Sequence, residues 1–113
     1  IEIYPELAEE GLANIMADNP QLVESGRCSI MQGDGYQGLL SEAPFDLIHV
    51  GAAAPELPQA LIQQLKPGGR IIIPTGHHQQ HLMTFDKDES GTVTSAQHMG
   101  VRYVPLVHGE QVL

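Results

Sequence analysis

Apolar residues change their spacing several times along the chain, and each spacing predicts a different element. Residues 1–3 have the pattern of a strand end, and Pro5 then stands where the first position of a helix is expected. After Pro5 the apolar residues recur every three or four positions, which is typical of an amphipathic helix. Asp18-Asn19-Pro20 ends this pattern, so a helix of three to four turns is predicted before it.

The middle of the chain alternates between strand-like and helix-like blocks. Apolar and polar residues alternate weakly over residues 28–32, and glycines bound this segment, which predicts a strand. Residues 45–50 form an apolar run typical of a parallel strand covered on both faces. A helix is predicted over residues 58–65, where Lys66-Pro67-Gly68-Gly69 stops it. Residues 70–74 then predict another buried strand. This order is the βαβ pattern of an α/β domain.

The last part of the chain favours antiparallel pairing. Residues 81–86 and 92–97 flank a polar loop that ends in glycine, which predicts a hairpin, and residues 101–107 predict a final strand. The expected fold is therefore an α/β open sheet, mainly parallel and ending in antiparallel strands. Such sheets bind ligands at the carboxyl ends of their strands, so candidate binding residues are expected there.

Composition and charge limit the possible partners. The chain has 113 residues, 42% of them hydrophobic, which fits one small domain with a real core. Acidic residues outnumber basic ones by 14 to 5, and a net charge of -9 disfavours nucleic acid and anionic membranes as partners. The single cysteine, Cys28, suits a reducing, cytoplasmic compartment. Because the chain opens on a strand end without an initiator methionine, we expect a fragment that begins in mid-domain.

The segment Gly33 to Gly38 matches G-x-G-x-x-G and allows three interpretations. A dinucleotide site also requires an acid at the end of the next strand, where this chain has only small residues. The segment could instead be a glycine-rich turn that Asp34 caps. In the third interpretation, Asp34 accepts a hydrogen bond from an exocyclic amine of a nucleoside while Glu2 accepts two from a ribose diol.

The histidines and the cysteine predict no metal or nucleophile site. His77, His78 and His81 have metal-like spacing without a neighbouring Cys or carboxylate, so loop histidines are the favoured interpretation. His49 lies inside an apolar strand and is predicted to be a core histidine bonded to a backbone group. Cys28 is predicted to be a small core residue.

Several blocks, in this order, resemble the protein-L-isoaspartate O-methyltransferase family, and together they cover essentially the whole chain. The run I-H-V-G-A-A-A-P is the most specific of them, whereas L-K-P-G-G-R occurs in many methyltransferases. The blocks are Gly33-Asp34-Gly35, Ala43-Pro44-Phe45-Asp46, Ile48-His49-Val50-Gly51-Ala52-Ala53-Ala54-Pro55, Pro58-Gln59-Ala60-Leu61-Ile62, Leu65-Lys66-Pro67-Gly68-Gly69-Arg70 and Tyr103-Val104-Pro105-Leu106.

The resemblance implies a Rossmann-like fold and methyl transfer from S-adenosylmethionine, with S-adenosylhomocysteine as product. The acceptor would be the α-carboxylate of L-isoaspartyl residues in damaged proteins and peptides, so that the role is repair. By position, Glu2 with Ile3 matches the ribose side of the cofactor site, and Asp34 with Gly35 matches the adenine side. The substrate side of the crevice would be lined by Gly51, Ala52, Ala53, Ala54 and Pro55.

Two departures from the family pattern shape the remaining expectations. The family's first strand, its glycine-rich cofactor loop and its serine-bearing segment would all precede Ile1, so residues 1–113 are expected to be the C-terminal part of one domain. No catalytic residue is then expected in this chain, which alone is expected to be an inactive monomer. Val107-His108-Gly109 stands where the family often has a polar threonine, which affects one cofactor contact. A non-catalytic binding module and a methyltransferase for small carboxylic acids remain as alternatives.

Overall fold

The computed structural model describes residues 1–111 and divides the chain into two compact units. Among the described residues, the terminal unit contains Ile1–Gly35 together with residues 107–111, and the sheet unit is Tyr36–Leu106. No helix within the described residues is long and apolar enough to cross a bilayer.

The terminal unit contains the predicted amphipathic helix. Helix α1 spans Pro5–Asp18 with Pro5 in its first turn, and the Asn19 backbone N–H closes it on the Ile15 carbonyl at 2.8 Å. Pro20 then starts the short helix α2, Gln21–Glu24. The predicted start and end of α1 are confirmed. Its apolar face, however, contains no buried residue.

Two strands predicted in the terminal unit reduce to one bridge. Glu2 pairs in parallel with Gln32, the Glu2 N–H donates to the Met31 carbonyl at 3.0 Å, and the Gly33 N–H donates to the Glu2 carbonyl at 2.9 Å. The prediction of a strand over residues 28–32 was wrong. The reason is that α1 begins at Pro5, so the partner segment remains extended for too few residues to form a ladder.

The sheet unit is a four-stranded sheet in the order β1-β2-β3-β4. The first pair of strands is parallel and the two following pairs are antiparallel, which confirms the predicted change of direction and the hairpin. Helix α3, Gln59–Gln63, connects the parallel pair. The strands are β1 Phe45–His49, β2 Leu65–Thr75, β3 Gln80–Lys87 and β4 Val93–Val101.

Strand β1 is less covered than its apolar sequence predicts. It lies at one edge of the described sheet, and Leu47 on it is 59% exposed. His49 is exposed as well, so the prediction of a buried core histidine was wrong. With β2 as its only partner in the described sheet, β1 lacks the second neighbour that a central strand would have.

The boundaries of three other elements differ from prediction. Helix α3 is only five residues long, because β2 already begins at Leu65 and runs through Gly68, whose φ is 84°. Residues 102–107 form no strand, and Pro105 makes only an isolated bridge with Ala53. Proline has no backbone N–H for a ladder, which limits pairing at that point.

The core of the sheet unit lies between α3 and β2. Its buried members are Ala54, Leu61, Leu65, Ile71 and Ile73. Lys87 closes the end of α3, because its Nζ donates to the carbonyls of Ile62 at 2.6 Å and Leu65 at 2.9 Å. Because Ala54 belongs to this core, apolar packing helps to fix the loop after β1.

Candidate functional site

The four residues predicted for the cofactor side, Glu2, Ile3, Asp34 and Gly35, all lie in the terminal unit. The parallel bridge sets Glu2 beside Gln32, so the two segments leave the bridge in the same direction. A Cβ on Gly33 would lie 3.2 Å from Ile1 Cγ2, which is closer than most side chains tolerate. Glycine therefore permits the close approach of the two segments just before Asp34.

The Glu2 carboxylate is oriented by the start of α1. Its Oε1 accepts a hydrogen bond from the backbone N–H of Tyr4 at 3.1 Å, and Tyr4 is the N-cap residue of the helix. Backbone amides at a helix N-terminus carry partial positive charge and favour an anion there. The following residue is also held, because Gln32 Nε2 donates to the Ile3 carbonyl at 3.3 Å. Glu2 itself is half-buried.

The Asp34 carboxylate is held by the C-terminal segment of the chain. Its Oδ2 accepts a hydrogen bond from the Gly109 backbone N–H at 2.9 Å, across 75 positions of sequence. Gly109 begins a 3-10 turn, Gly109–Gln111, and Gly35 begins another, Gly35–Gln37. Asp34 is half-buried, so the structure places it where a partly desolvated carboxylate can accept further hydrogen bonds.

These residues fit a nucleoside better than a polyphosphate. Two half-buried carboxylates accept hydrogen bonds in this unit, and amines and ribose hydroxyls are donors. Within residues 1–35 the only basic side chain is Arg27, which is exposed. Binding of a phosphate chain normally uses basic side chains or a helix N-terminus that opens on the glycine turn. The chemistry of the acceptor groups therefore fits a neutral or cationic nucleoside.

The last glycine of the G-x-G-x-x-G motif serves packing in the sheet unit. Gly38 has a φ of 64°, and a Cβ there would overlap the side chain of Gln64. Gln64 is 5% exposed; its Oε1 accepts from the Leu39 N–H at 2.8 Å, and its Nε2 donates to the Gln37 carbonyl at 2.9 Å. The motif also opens a 3-10 turn and no α-helix. The dinucleotide interpretation therefore loses its structural basis.

Sequence reasoning missed Gln64. A signal was present, because Gln64 lies three positions after Leu61, on the apolar side of the predicted helix. A polar residue at such a position must satisfy its hydrogen bonds inside the protein.

Backbone hydrogen bonds hold the loop after β1 to two other segments of the sheet unit. The Ala53 N–H donates to the Val104 carbonyl and the Ala53 carbonyl accepts from the Leu106 N–H, both at 2.8 Å. Ala54 is bonded in the same way, with its N–H on Pro74 and its carbonyl accepting from Gly76. Residues predicted for the substrate side therefore sit in a rigid loop.

Burial divides these substrate-side residues into two groups. Ala53 is 4% exposed and Ala54 is fully buried, so their side chains belong to the interior. Gly51 and Pro55 are exposed and Ala52 is half-buried. The surface of this loop is thus formed by three of the five residues predicted to line it.

The remaining candidate groups stay apart. No three His, Cys, Asp or Glu side chains within residues 1–111 are arranged to hold a metal ion. His77 and His78 are exposed, and Cys28 is a half-buried free thiol.

Comparisons with known proteins agree on one family. The family model described as Protein-L-isoaspartate(D-aspartate) O-methyltransferase (PCMT) matches residues 1–111. Protein-L-isoaspartate O-methyltransferase 1 of Arabidopsis thaliana is 49% identical over 115 residues, which cover 100% of this chain and 50% of the relative. Protein-L-isoaspartate O-methyltransferase 2 of Archaeoglobus fulgidus is 47% identical, covering 94% of this chain and 46% of the relative.

A solved structure has the same fold. It is a protein-L-isoaspartate O-methyltransferase from Plasmodium falciparum in complex with S-adenosyl-L-homocysteine, and it superposes with a TM-score of 0.80 at 31% sequence identity. The match covers 94% of this chain and 50% of that one. The chain thus spans about half the length of these relatives.

Proposed function

This chain belongs to the protein-L-isoaspartate(D-aspartate) O-methyltransferase family, and from that premise we propose that the protein carrying it methylates the α-carboxylate of L-isoaspartyl residues in damaged proteins and peptides. The methyl donor is S-adenosylmethionine and the product is S-adenosylhomocysteine. The neighbouring backbone amide nitrogen then displaces methanol from the ester to form a succinimide, and water opens the succinimide partly to aspartate, so the function is repair. The observation that carries the proposal is the parallel bridge between Glu2 and Gln32, which sets two acid-bearing segment ends side by side.

The residues of this chain act by binding and orientation. S-adenosylmethionine supplies a methyl group on a sulfonium centre, which is already a good leaving group. A substrate carboxylate has an ordinary pKa near 4 and is therefore an anion at neutral pH, so no general base is needed. Glu2 accepts hydrogen bonds from the ribose hydroxyls and Asp34 from the adenine amine. Holding two reactants in line can itself supply a large part of the rate enhancement.

The substrate side is proposed at the loop after β1. Gly51, Ala52 and Pro55 are accessible, and small side chains there let a peptide backbone approach. Ala53 and Ala54 support this surface from the interior, where each is bonded through its backbone on two sides.

Methyl transfer to a matched pair of peptides tests the function. The full-length protein is incubated with S-adenosylmethionine labelled in the methyl group and with a peptide containing either L-isoaspartate or L-aspartate at one position. We expect label in the isoaspartyl peptide only. Equal labelling of both peptides would refute the repair function, and labelling of small carboxylic acids alone would favour the alternative enzyme. Binding of S-adenosylhomocysteine without turnover would favour the binding module.

The role of Glu2 is tested with a second acid as control. Glu2→Gln weakens the acceptor for the ribose diol, and Glu10→Gln changes an exposed acid on α1. We expect KM for S-adenosylmethionine to rise about tenfold in the first variant, which corresponds to a charged hydrogen bond worth about 1.4 kcal/mol. The control and the KM for peptide should stay unchanged. A similar change in both variants would contradict the assignment.

Residues 1–113 are proposed to be part of one methyltransferase domain whose first strand and glycine-rich loop precede Ile1. The protein is proposed to be a cytoplasmic monomer, which sedimentation of the full-length protein and fractionation of cells test. It is also proposed to have no nucleic-acid or membrane partner, which the net charge of -9 supports.

A further inference from the structure

The C-terminal segment reaches back to the acid that we assign to the adenine side of the site. The Gly109 N–H donates to Asp34 Oδ2 at 2.9 Å, and this is a contact between residues 75 positions apart. A Cβ built on Gly109 would lie 3.7 Å from Asp34 Oδ2, 3.8 Å from Asp34 Cβ and 4.0 Å from Ile3 Cδ1. Gly109 therefore packs against two of the four predicted cofactor-side residues.

From this geometry we infer that the backbone amide of Gly109 is a positioning group that fixes the Asp34 carboxylate for the nucleoside. The inference rests on the proposed function, because it takes Asp34 as the acceptor for the adenine amine. The altered tail Val107-His108-Gly109 then contributes a main-chain donor, which every residue type except proline would supply at position 109.

The physical reason lies in the number of orientations that the carboxylate can adopt. A carboxylate can accept about four hydrogen bonds, so a donor at Oδ2 does not by itself exclude a donor from a ligand. A hydrogen bond to a charged group is stronger than one between neutral groups, and it selects one side-chain orientation before the ligand arrives. Preorganisation of this kind improves affinity by lowering the ordering cost of binding.

Two substitutions at Gly109 separate the donor from the space it occupies. Gly109→Pro removes the N–H, and proline is tolerated in the first turn of a helix, which is where Gly109 stands. Gly109→Ala keeps the N–H, and its Cβ would make only ordinary van der Waals contact with Asp34. The alanine variant is therefore the matched control.

Calorimetric titration of the full-length protein with S-adenosylhomocysteine measures the effect. We expect about tenfold weaker binding in Gly109→Pro and no change in Gly109→Ala, with the peptide KM unchanged in both. In an Asp34→Ala background the proline substitution should have no further effect, because its target is gone. Equal loss in the two Gly109 variants, no loss in the proline variant, or an undiminished loss in the Asp34→Ala background would each overturn the inference.

Hydrogen exchange tests the same contact without relying on the folding of the proline variant. The Gly109 amide should exchange slowly in the unmodified protein and at least tenfold faster in Asp34→Ala. Equal exchange in both proteins would show that Asp34 is not its acceptor and would overturn the inference. If the unmodified protein did not bind S-adenosylhomocysteine although its Gly109 amide was protected by Asp34, the proposed function would fail and the contact would stand.

Discussion

Replacing Gln64 by alanine is the sharpest test of how the sheet unit holds the turn after the glycine motif. Gln64 is 5% exposed and bonds the Leu39 N–H at 2.8 Å and the Gln37 carbonyl at 2.9 Å. Removal of its carboxamide leaves a half-buried N–H without its acceptor, at about 1–3 kcal/mol. Gln37 is exposed, so water can replace its lost donor at about 1 kcal/mol. We expect a total loss of about 2–4 kcal/mol.

Urea denaturation followed by circular dichroism measures this loss. With a slope of about 2 kcal/mol per molar urea, the unfolding midpoint should fall by about 1–2 M. Gln63→Ala is the matched control, because Gln63 is the same residue type, lies next to Gln64 at the end of α3, and is exposed. Its effect should stay within about 0.5 kcal/mol. Equal midpoints for the two variants would refute the reasoning.

A double-mutant cycle with Gly38 strengthens the test. Gly38→Ala introduces a Cβ that overlaps the Gln64 side chain. It also forces an alanine into the φ of 64° that Gly38 adopts. Removal of the Gln64 side chain relieves the overlap but leaves the unfavourable φ, which is worth about 1 kcal/mol. The double variant should therefore lose clearly less stability than the sum of the two single variants. Additive losses would show that the two residues do not meet.

Two further predictions concern charged side chains of the sheet. Lys87→Met removes the donor to the carbonyls of Ile62 and Leu65 and should lower the free energy of unfolding by about 1–2 kcal/mol in urea denaturation. The control is Lys66→Met, which should cost under about 0.5 kcal/mol because the partner of Lys66 is an exposed carboxylate 3.4 Å away. Equal costs would contradict the capping role of Lys87. The hydrogen bond and charge of Arg70 hold the pKa of Asp86 below its ordinary value, so in an NMR titration Arg70→Met should raise that pKa. Because the pKa of Asp86 is lower in the folded than in the unfolded chain, its pair with Arg70 stabilises the fold at pH values above the ordinary pKa. This contribution is lost as pH falls through the folded pKa. An unchanged pKa of Asp86 in the variant would refute the assignment.

Local signals in the sequence were sufficient for the elements whose causes are local. Pro5 and the 3.6-residue spacing after it predicted α1 with its observed start and end, because a helix is made by hydrogen bonds between near neighbours. The glycine-containing loop predicted the β3–β4 hairpin for the same reason. The family was also recognisable, because its blocks lie in one order along the chain and need no coordinates to be read.

Predictions that required knowledge of neighbours failed or stayed open. The apolar run at β1 was interpreted as a strand covered on both faces, yet Leu47 and His49 are exposed. The two residues share one face of the strand, so that face is not covered within the described residues. Burial also separated Ala53 and Ala54 from their neighbours in the loop after β1, although all five residues are small or apolar. A pattern states which residues prefer the interior, but it does not state which segments are available to cover them.

The sequence by itself thus determined the family, the α/β class, helix α1, the hairpin and the candidate residues Glu2 and Asp34. Only the tertiary structure decided that the Gln64 side chain occupies the space that a Cβ at position 38 would need. It also decided that the Gly109 amide donates to the carboxylate of Asp34. The physical reason is that these contacts join residues 25 to 75 positions apart. No periodicity records such pairs, because their partners are brought together only when the chain has folded.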